Sequence, residues 1–145
     1  MSQPAHDPSC VFCKIVRGEI PSARILETEH AVAFLDINPV NRGHILLVPK
    51  AHHATLAELP DDLAAETARL LPRLSRAMMS VTEAEGFNLI VNNGRVAGQT
   101  VAHSHWHLIP RCGDDAVDWP WPHVDYPDDE LAQMRDRIAA ALEAK

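Results

Sequence analysis

No apolar run in this 145-residue chain approaches the roughly 18 residues a membrane helix needs, so no membrane role is expected. The opening residues MSQPAHDPSC lack the basic and apolar regions of a secretory signal, which leaves the cytoplasm as the expected compartment. Cysteine is scarce and odd in number. Cys10, Cys13 and Cys112 argue against a disulfide framework. Basic charge is also short. A net charge of −7 repels polyphosphate backbones, so a nucleic acid polymer is not an expected partner. A few local donors can still hold one small phosphate ligand inside an acidic protein. What is present, 46% apolar and 23% charged residues, is the balance of an ordinary globule, at a length that fits one domain.

Along the chain, residues 1–9 are polar and aperiodic and read as a mobile lead-in. Phe12 to Gly18 suits a short helical turn ended by glycine. Arg24–Glu27 and Ala31–Ile37 read as strands around the tight segment Thr28-Glu29-His30. After turn residues from Asn38 to Gly43, His44 to Val48 reads as a strand that Pro49 stops. Pro60-Asp61-Asp62 begins a helix whose apolar residues, from Leu63 through Leu74 to Val81, recur at helical spacing. Pro72 lies inside it and is expected to kink or split it. Gly86 is read as its end. Phe87–Val91 and Val101–Ile109 read as strands, the second closed by Pro110. A last helix, from about Pro127 onward, places Leu131, Met134, Ile138 and Leu142 on one face.

The order β-β-β-α-β-β-α, with strands following strands, predicts an α+β fold with a largely antiparallel sheet. Residues 10–112 form the expected domain. Residues 113–145 are read as a tail and helix packed on it, with Trp119-Pro120-Trp121-Pro122 either a rigid linker to the last helix or a segment that packs across a dimer or covers a substrate's leaving group.

The most specific feature is His103-Ser104-His105-Trp106-His107. In a strand, alternate side chains share a face about 6.6 Å apart, so three imidazoles would point the same way. A solvated face rich in histidine is the bland explanation, but the apolar neighbours place this strand inside the sheet. Alternating histidines also bind zinc. Cys10-x-x-Cys13 has metal-ligand spacing and needs two further ligands. His103 and His52 are the candidates, with His53 the neighbouring choice for the latter. An unmetallated thiol pair is the alternative.

The segment from Ala97-Gly98-Gln99-Thr100 through the alternating histidines to Ile109-Pro110-Arg111 resembles the signature of the histidine triad (HIT) family. Blocks around Cys10–Pro21, Ala33–Pro39, Gly43–Lys50 and Val91–Gly94 agree in order and spacing. Ser104 departs from the signature, which has an apolar residue there. The resemblance implies a HIT-like fold with five mostly antiparallel strands and two main helices, a homodimer, and a purine nucleotide conjugate as substrate, either a nucleoside phosphoramidate or a dinucleoside polyphosphate. It implies attack by His105 on the α-phosphorus, a nucleotidyl-histidine intermediate, and release of a nucleoside monophosphate. A neutral imidazole at about pH 7 is a competent nucleophile. By the same resemblance, His107 donates to a phosphate oxygen, and Thr100 and Gln99 lie beside the scissile bond. Asn92, or its neighbour Asn93, contacts the phosphate or leaving group, and His44 helps order the triad. Asp36 would hold ribose hydroxyls, and Phe12, Ile15 and Ile20 would line the base pocket. The zinc on Cys10, Cys13, His52 and His103 would be structural, pinning the N-terminal segment. Two other readings stand beside this one: a catalytic zinc held by His103, His105 and another histidine, and a nucleotide-binding regulator with vestigial activity.

Overall fold

The computed structural model describes residues 6–118 and 122–143. Trp119-Pro120-Trp121, most of the expected linker, and residues 1–5 of the expected lead-in lie outside the described residues. Five strands form one antiparallel sheet in the order β1-β2-β3-β5-β4. They are β1 (Arg24–Glu27), β2 (Ala31–Leu35), β3 (Ile45–Pro49), β4 (Gly86–Val91) and β5 (Trp106–Arg111). Helices are α1 (Val11–Val16), α2 (Asp61–Ala68), α3 (Leu71–Thr82) and α4 (Glu130–Glu143). The chain thus adopts the expected α+β architecture, with α3 and α4 as its two long helices.

Every residue of β2 and β3 is buried, because both faces of the sheet are covered. The period-two alternation sorts their side chains into two cores. Ala31, Ala33, Leu35, Ile45, Leu47 and Leu108 face α2 to α4, around Leu74, Met78 and Ile138. Val32, Phe34, Leu46 and Val48 face the other way and pack with Cys10, Phe12, Cys13 and Ile15 of the α1 region. Helix α4 packs on α3, β1 and β2.

As expected of Pro72, the helical run from Pro60 splits into α2 and α3, with Pro72 in the first turn of α3, where its missing donor costs nothing. Several boundaries differ from the sequence expectation. Glu83, not Gly86, ends α3, in the left-handed conformation at φ 56°, and Gly86 instead begins β4. Pro49 ends β3, as its last paired residue opposite Ala31, one residue beyond the expected end. Pro110 lies inside β5. The ladder from β3 reaches only to Leu108, so no donor from Pro110 is needed on that side. Helix α4 begins at Glu130, three residues after Pro127.

The largest correction concerns residues 101–105, expected as strand and observed as an irregular segment before β5. Local bonds hold it in place of a ladder. His103 N–H donates to Val101 O (2.8 Å), Ser104 N–H to His53 O (2.7 Å), and the Gln99 side-chain amide to Val101 O (2.9 Å).

Candidate active site and metal centre

The register places Leu46 opposite His107, so His107 belongs to the sheet face that carries Leu46 and Val48. His44 precedes β3 on the same alternation. The Phe12 ring meets His105 edge-on at 4.9 Å between centroids, and the His105 and His107 rings lie 5.0 Å apart. These groups open onto a cleft of about 500 Å³. Its apolar lining includes Val11, Phe12, Ile15 and Ile20, and its polar lining includes Asp36, Asn38, Thr100, His105, His107 and His123.

Hydrogen-bond partners fix the tautomer of each buried imidazole. His103 Nε2 lies 2.8 Å from Pro49 O, an acceptor only, so Nε2 carries the proton and Nδ1 the lone pair. His105 Nδ1 lies 2.7 Å from His103 O, which puts its proton on Nδ1 and its lone pair on Nε2. His44 accepts from Val40 N–H through Nδ1 (3.1 Å), so its proton sits on Nε2, 2.9 Å from His107 Nδ1. His107 then accepts on Nδ1 and keeps its proton on Nε2. The chain of partners leaves a lone pair on His105 Nε2 and a donor on His107 Nε2, both on rings that line the cleft.

Burial keeps these rings neutral. It pulls His103 and His107 down to about 4, the carbonyl of Pro49 opposing it at His103 and the neighbouring His105 adding to it at His107. His105 is lowered by burial, opposed by its bond to the His103 carbonyl, and His44 is pushed well below the ordinary histidine value. Burial also raises the Asp36 carboxyl. One oxygen of Asp36 accepts from Asn38 N–H (2.9 Å), and the other lies 3.7 Å from His44 Nε2.

Cys10, Cys13, His52 and His103 gather beside the cleft with their four ligand atoms within 4.8 Å of one another. His52 Nδ1 lies 3.2 Å from His103 Nδ1 and 3.3 Å from Cys13 Sγ. His103 Nδ1 lies 3.4 Å from Cys10 Sγ and 3.5 Å from Cys13 Sγ. Metal–sulfur bonds of about 2.3 Å and metal–nitrogen bonds of about 2.0–2.1 Å, arranged tetrahedrally, put donors roughly 3.3–3.8 Å apart. The four residues therefore fit a closed tetrahedral site, and the carbonyl of Pro49 accepts from the far nitrogen of the His103 ring, which aims Nδ1 at the cluster. Unmetallated, burial pushes the Cys13 thiol up to about 11. Asp7 N–H points at Cys13 Sγ (3.4 Å), and Cys10 N–H closes a turn on Asp7 O (3.0 Å), so the residues just before Cys10 are tied to this cluster.

Among the described residues no metal-capable group includes His105, whose Nδ1 is turned to the His103 carbonyl. A second cluster, Asp36, His44 and His107, comes equally close together, but the proton on His44 Nε2 already bridges it to His107.

The remaining predicted residues surround the cleft. Thr100 is exposed on its wall. Both ends of the Gln99 amide are engaged within the loop. Its oxygen accepts from Gly94 N–H (2.7 Å), and its nitrogen donates to Ala54 O (2.6 Å) and Val101 O (2.9 Å). Asn92 lies against Gly98 in the same loop, and Asn93 accepts from Leu56 N–H (2.8 Å). His123 was not singled out by the sequence. It follows the Trp-Pro run with no periodicity around it, and only the folded chain brings it to Asp36.

The HIT domain family model matches residues 17–114. The chain belongs to the HIT family. It is 40% identical over 147 aligned residues to adenosine 5'-monophosphoramidase HNT1 of Saccharomyces cerevisiae, covering 99% of this chain and 89% of the yeast protein. It is 45% identical over 108 aligned residues to adenylylsulfatase HINT3 of Arabidopsis thaliana, covering 74% of this chain and 55% of that one. Among solved structures it resembles a Zn-bound histidine triad family protein of Mycobacterium smegmatis. The TM-score is 0.82 at 38% identity, covering 92% of this chain and 93% of the other.

Proposed function

We propose that this HIT protein is a nucleotidyl hydrolase or transferase that cleaves the bond to the α-phosphorus of purine nucleotide conjugates. The observation that carries the reading is the orientation of His105. Its Nδ1 proton is spent on the His103 carbonyl, which leaves Nε2 as the unprotonated nitrogen of a ring on the cleft wall. His105 Nε2 attacks the α-phosphorus, a phosphorus–nitrogen bond forms, and the bond to the leaving group breaks. His107, held as an Nε2 donor by His44, donates to a non-bridging phosphate oxygen as charge develops on it. Thr100 hands a proton to the departing amine or phosphate, and Asn92 steadies that group. Water then cleaves the nucleotidyl-histidine and frees the monophosphate. Phe12, Ile15 and Ile20 receive the base and Asp36 the ribose. Gln99 acts by shaping the loop that presents Thr100. The relatives named as AMP phosphoramidases favour a phosphoramidate over a dinucleoside polyphosphate as substrate.

The four-donor cluster takes zinc in this reading. A closed Cys2His2 site supplies no open coordination position, only a cross-link between the α1 region, the His52 segment and the triad. Buried thiols kept as ligands suit a reducing compartment, here the cytoplasm. Among the described residues no helix is long and apolar enough to cross a membrane.

The protein acts as a homodimer through β4, which is an edge of the sheet. Leu89 pairs with Leu108, which is fully buried under the helices, yet Leu89 is 47% exposed and Phe87 41%. An edge strand with uncovered apolar side chains is suited to pairing with its own copy.

Incubation with adenosine 5'-phosphoramidate tests the function. Steady AMP release by the parent, lost by several orders of magnitude in His105→Gly, is the expected result. AMP bound tightly with no release by pure parent protein would favour the regulator instead.

A further inference from the structure

The C-terminal segment after Pro122 crosses back to the loop between β2 and β3, beyond the residues matched by the HIT family model. Four contacts strap it there. His123 Nδ1 lies 2.6 Å from Asn38 O, and Val124 N–H donates to Pro39 O (2.8 Å). Gly43 N–H donates to the Tyr126 hydroxyl (2.6 Å), and Arg42 Nε–H to Asp125 O (3.1 Å). Gly43 has φ +99°, and a Cβ there would meet Thr82 at 2.5 Å, so the loop is shaped around a glycine at this anchor. The same loop joins Asp36 to His44.

The Asn38 carbonyl can only accept, so His123 Nδ1 carries the proton and Nε2 is an acceptor. His123 and Asp36 both line the cleft, and both bond to the backbone of Asn38, one at its carbonyl and the other at its N–H. A ribose presents two neighbouring hydroxyl donors. Asp36 already spends one oxygen on Asn38 N–H. We propose that His123 is the second acceptor for the ribose of a bound nucleotide, taking one hydroxyl through Nε2 while Asp36 takes the other. This rests on the nucleotide-site reading above. It makes the strap a specificity element, because a ligand lacking one hydroxyl forfeits one of two separate partners.

Titration calorimetry with AMP, 2'-deoxy-AMP and 3'-deoxy-AMP tests this on the parent, His123→Ala and His123→Gln. His123 is exposed, and three of the four strap contacts do not involve it, so an unchanged Tm is expected. His123→Ala should bind AMP roughly three- to tenfold more weakly, the worth of one hydrogen bond. One of the two deoxy nucleotides, the one lacking the hydroxyl that His123 holds, should bind parent and variant alike. His123→Gln, which keeps an acceptor, should recover part of the AMP affinity. Equal AMP affinity in parent and His123→Ala, or an equal loss for all three nucleotides, overturns the assignment. Binding is read without turnover, so a parent that binds AMP but cleaves nothing refutes the hydrolase and leaves this test intact. A parent that binds none of the three refutes both.

Discussion

Four imidazoles buried in neutral form should make this protein sensitive to mild acid, and His107 sets the scale. Its folded-state value is about 4 against 6.5 for an ordinary histidine. Between those values the unfolded chain binds a proton that the folded chain refuses, so stability falls as pH falls through this window. Above pH 6.5 neither state is protonated and His107 imposes no penalty. Taking pH 7.5 down to 5.0 therefore withdraws about 2 kcal/mol through His107 alone, and His44, lowered in the same direction, adds to it. Urea unfolding at a series of pH values, on the parent and on His107→Asn, isolates the His107 share. The variant is less stable at neutral pH, but its loss between pH 7.5 and 5.0 should be smaller than the parent's by about 2 kcal/mol. Parallel curves for the two proteins would refute the claim that His107 is held neutral by burial.

Three further outcomes follow from the same contacts. The parent should carry about one equivalent of zinc by elemental analysis, and Cys13→Ser should lose it together with several degrees of Tm. A Cys13→Ser protein with full zinc content would remove the site. Leu89→Lys, placed on the exposed edge strand, should shift the molecular mass by light scattering from dimer to monomer. An unchanged mass would move the interface elsewhere. Among the described residues the buried Ser104 hydroxyl has no hydrogen-bond partner, so Ser104→Ala should raise stability by about 1 kcal/mol in urea unfolding. A loss of stability would show that the hydroxyl is satisfied in solution.

An element is legible in the sequence where its side chains answer to one period. Helix α4 shows it directly, β2 and β3 were legible instead as short, wholly apolar runs bounded by turn residues, and Pro72 marked the break between α2 and α3. The triad segment misled for a physical reason. Period-two histidines suggest a strand from Val101 onward, but His103 and His105 precede β5 and are placed by the carbonyls of Pro49 and His103. Sequence spacing paired Cys10 with Cys13 and left His103 and His52 as candidate partners, yet could not choose between His52 and His53. The fold does so by presenting His52 Nδ1 to the cluster, while His53 contributes its backbone carbonyl to Ser104. His123 was invisible because its meaning depends on a chain reversal across an irregular segment, where no periodicity operates.

The central claim is a covalent one, and rapid-mix trapping tests it most directly. Parent protein is mixed with adenosine 5'-phosphoramidate labelled in the nucleotide, quenched in alkali during turnover, digested and mapped by mass spectrometry. The account predicts AMP attached to the peptide carrying His105, formed and consumed fast enough to sustain the steady rate. Sustained AMP release with no labelled peptide, or an adduct on any other residue that turns over at the steady rate, would contradict it.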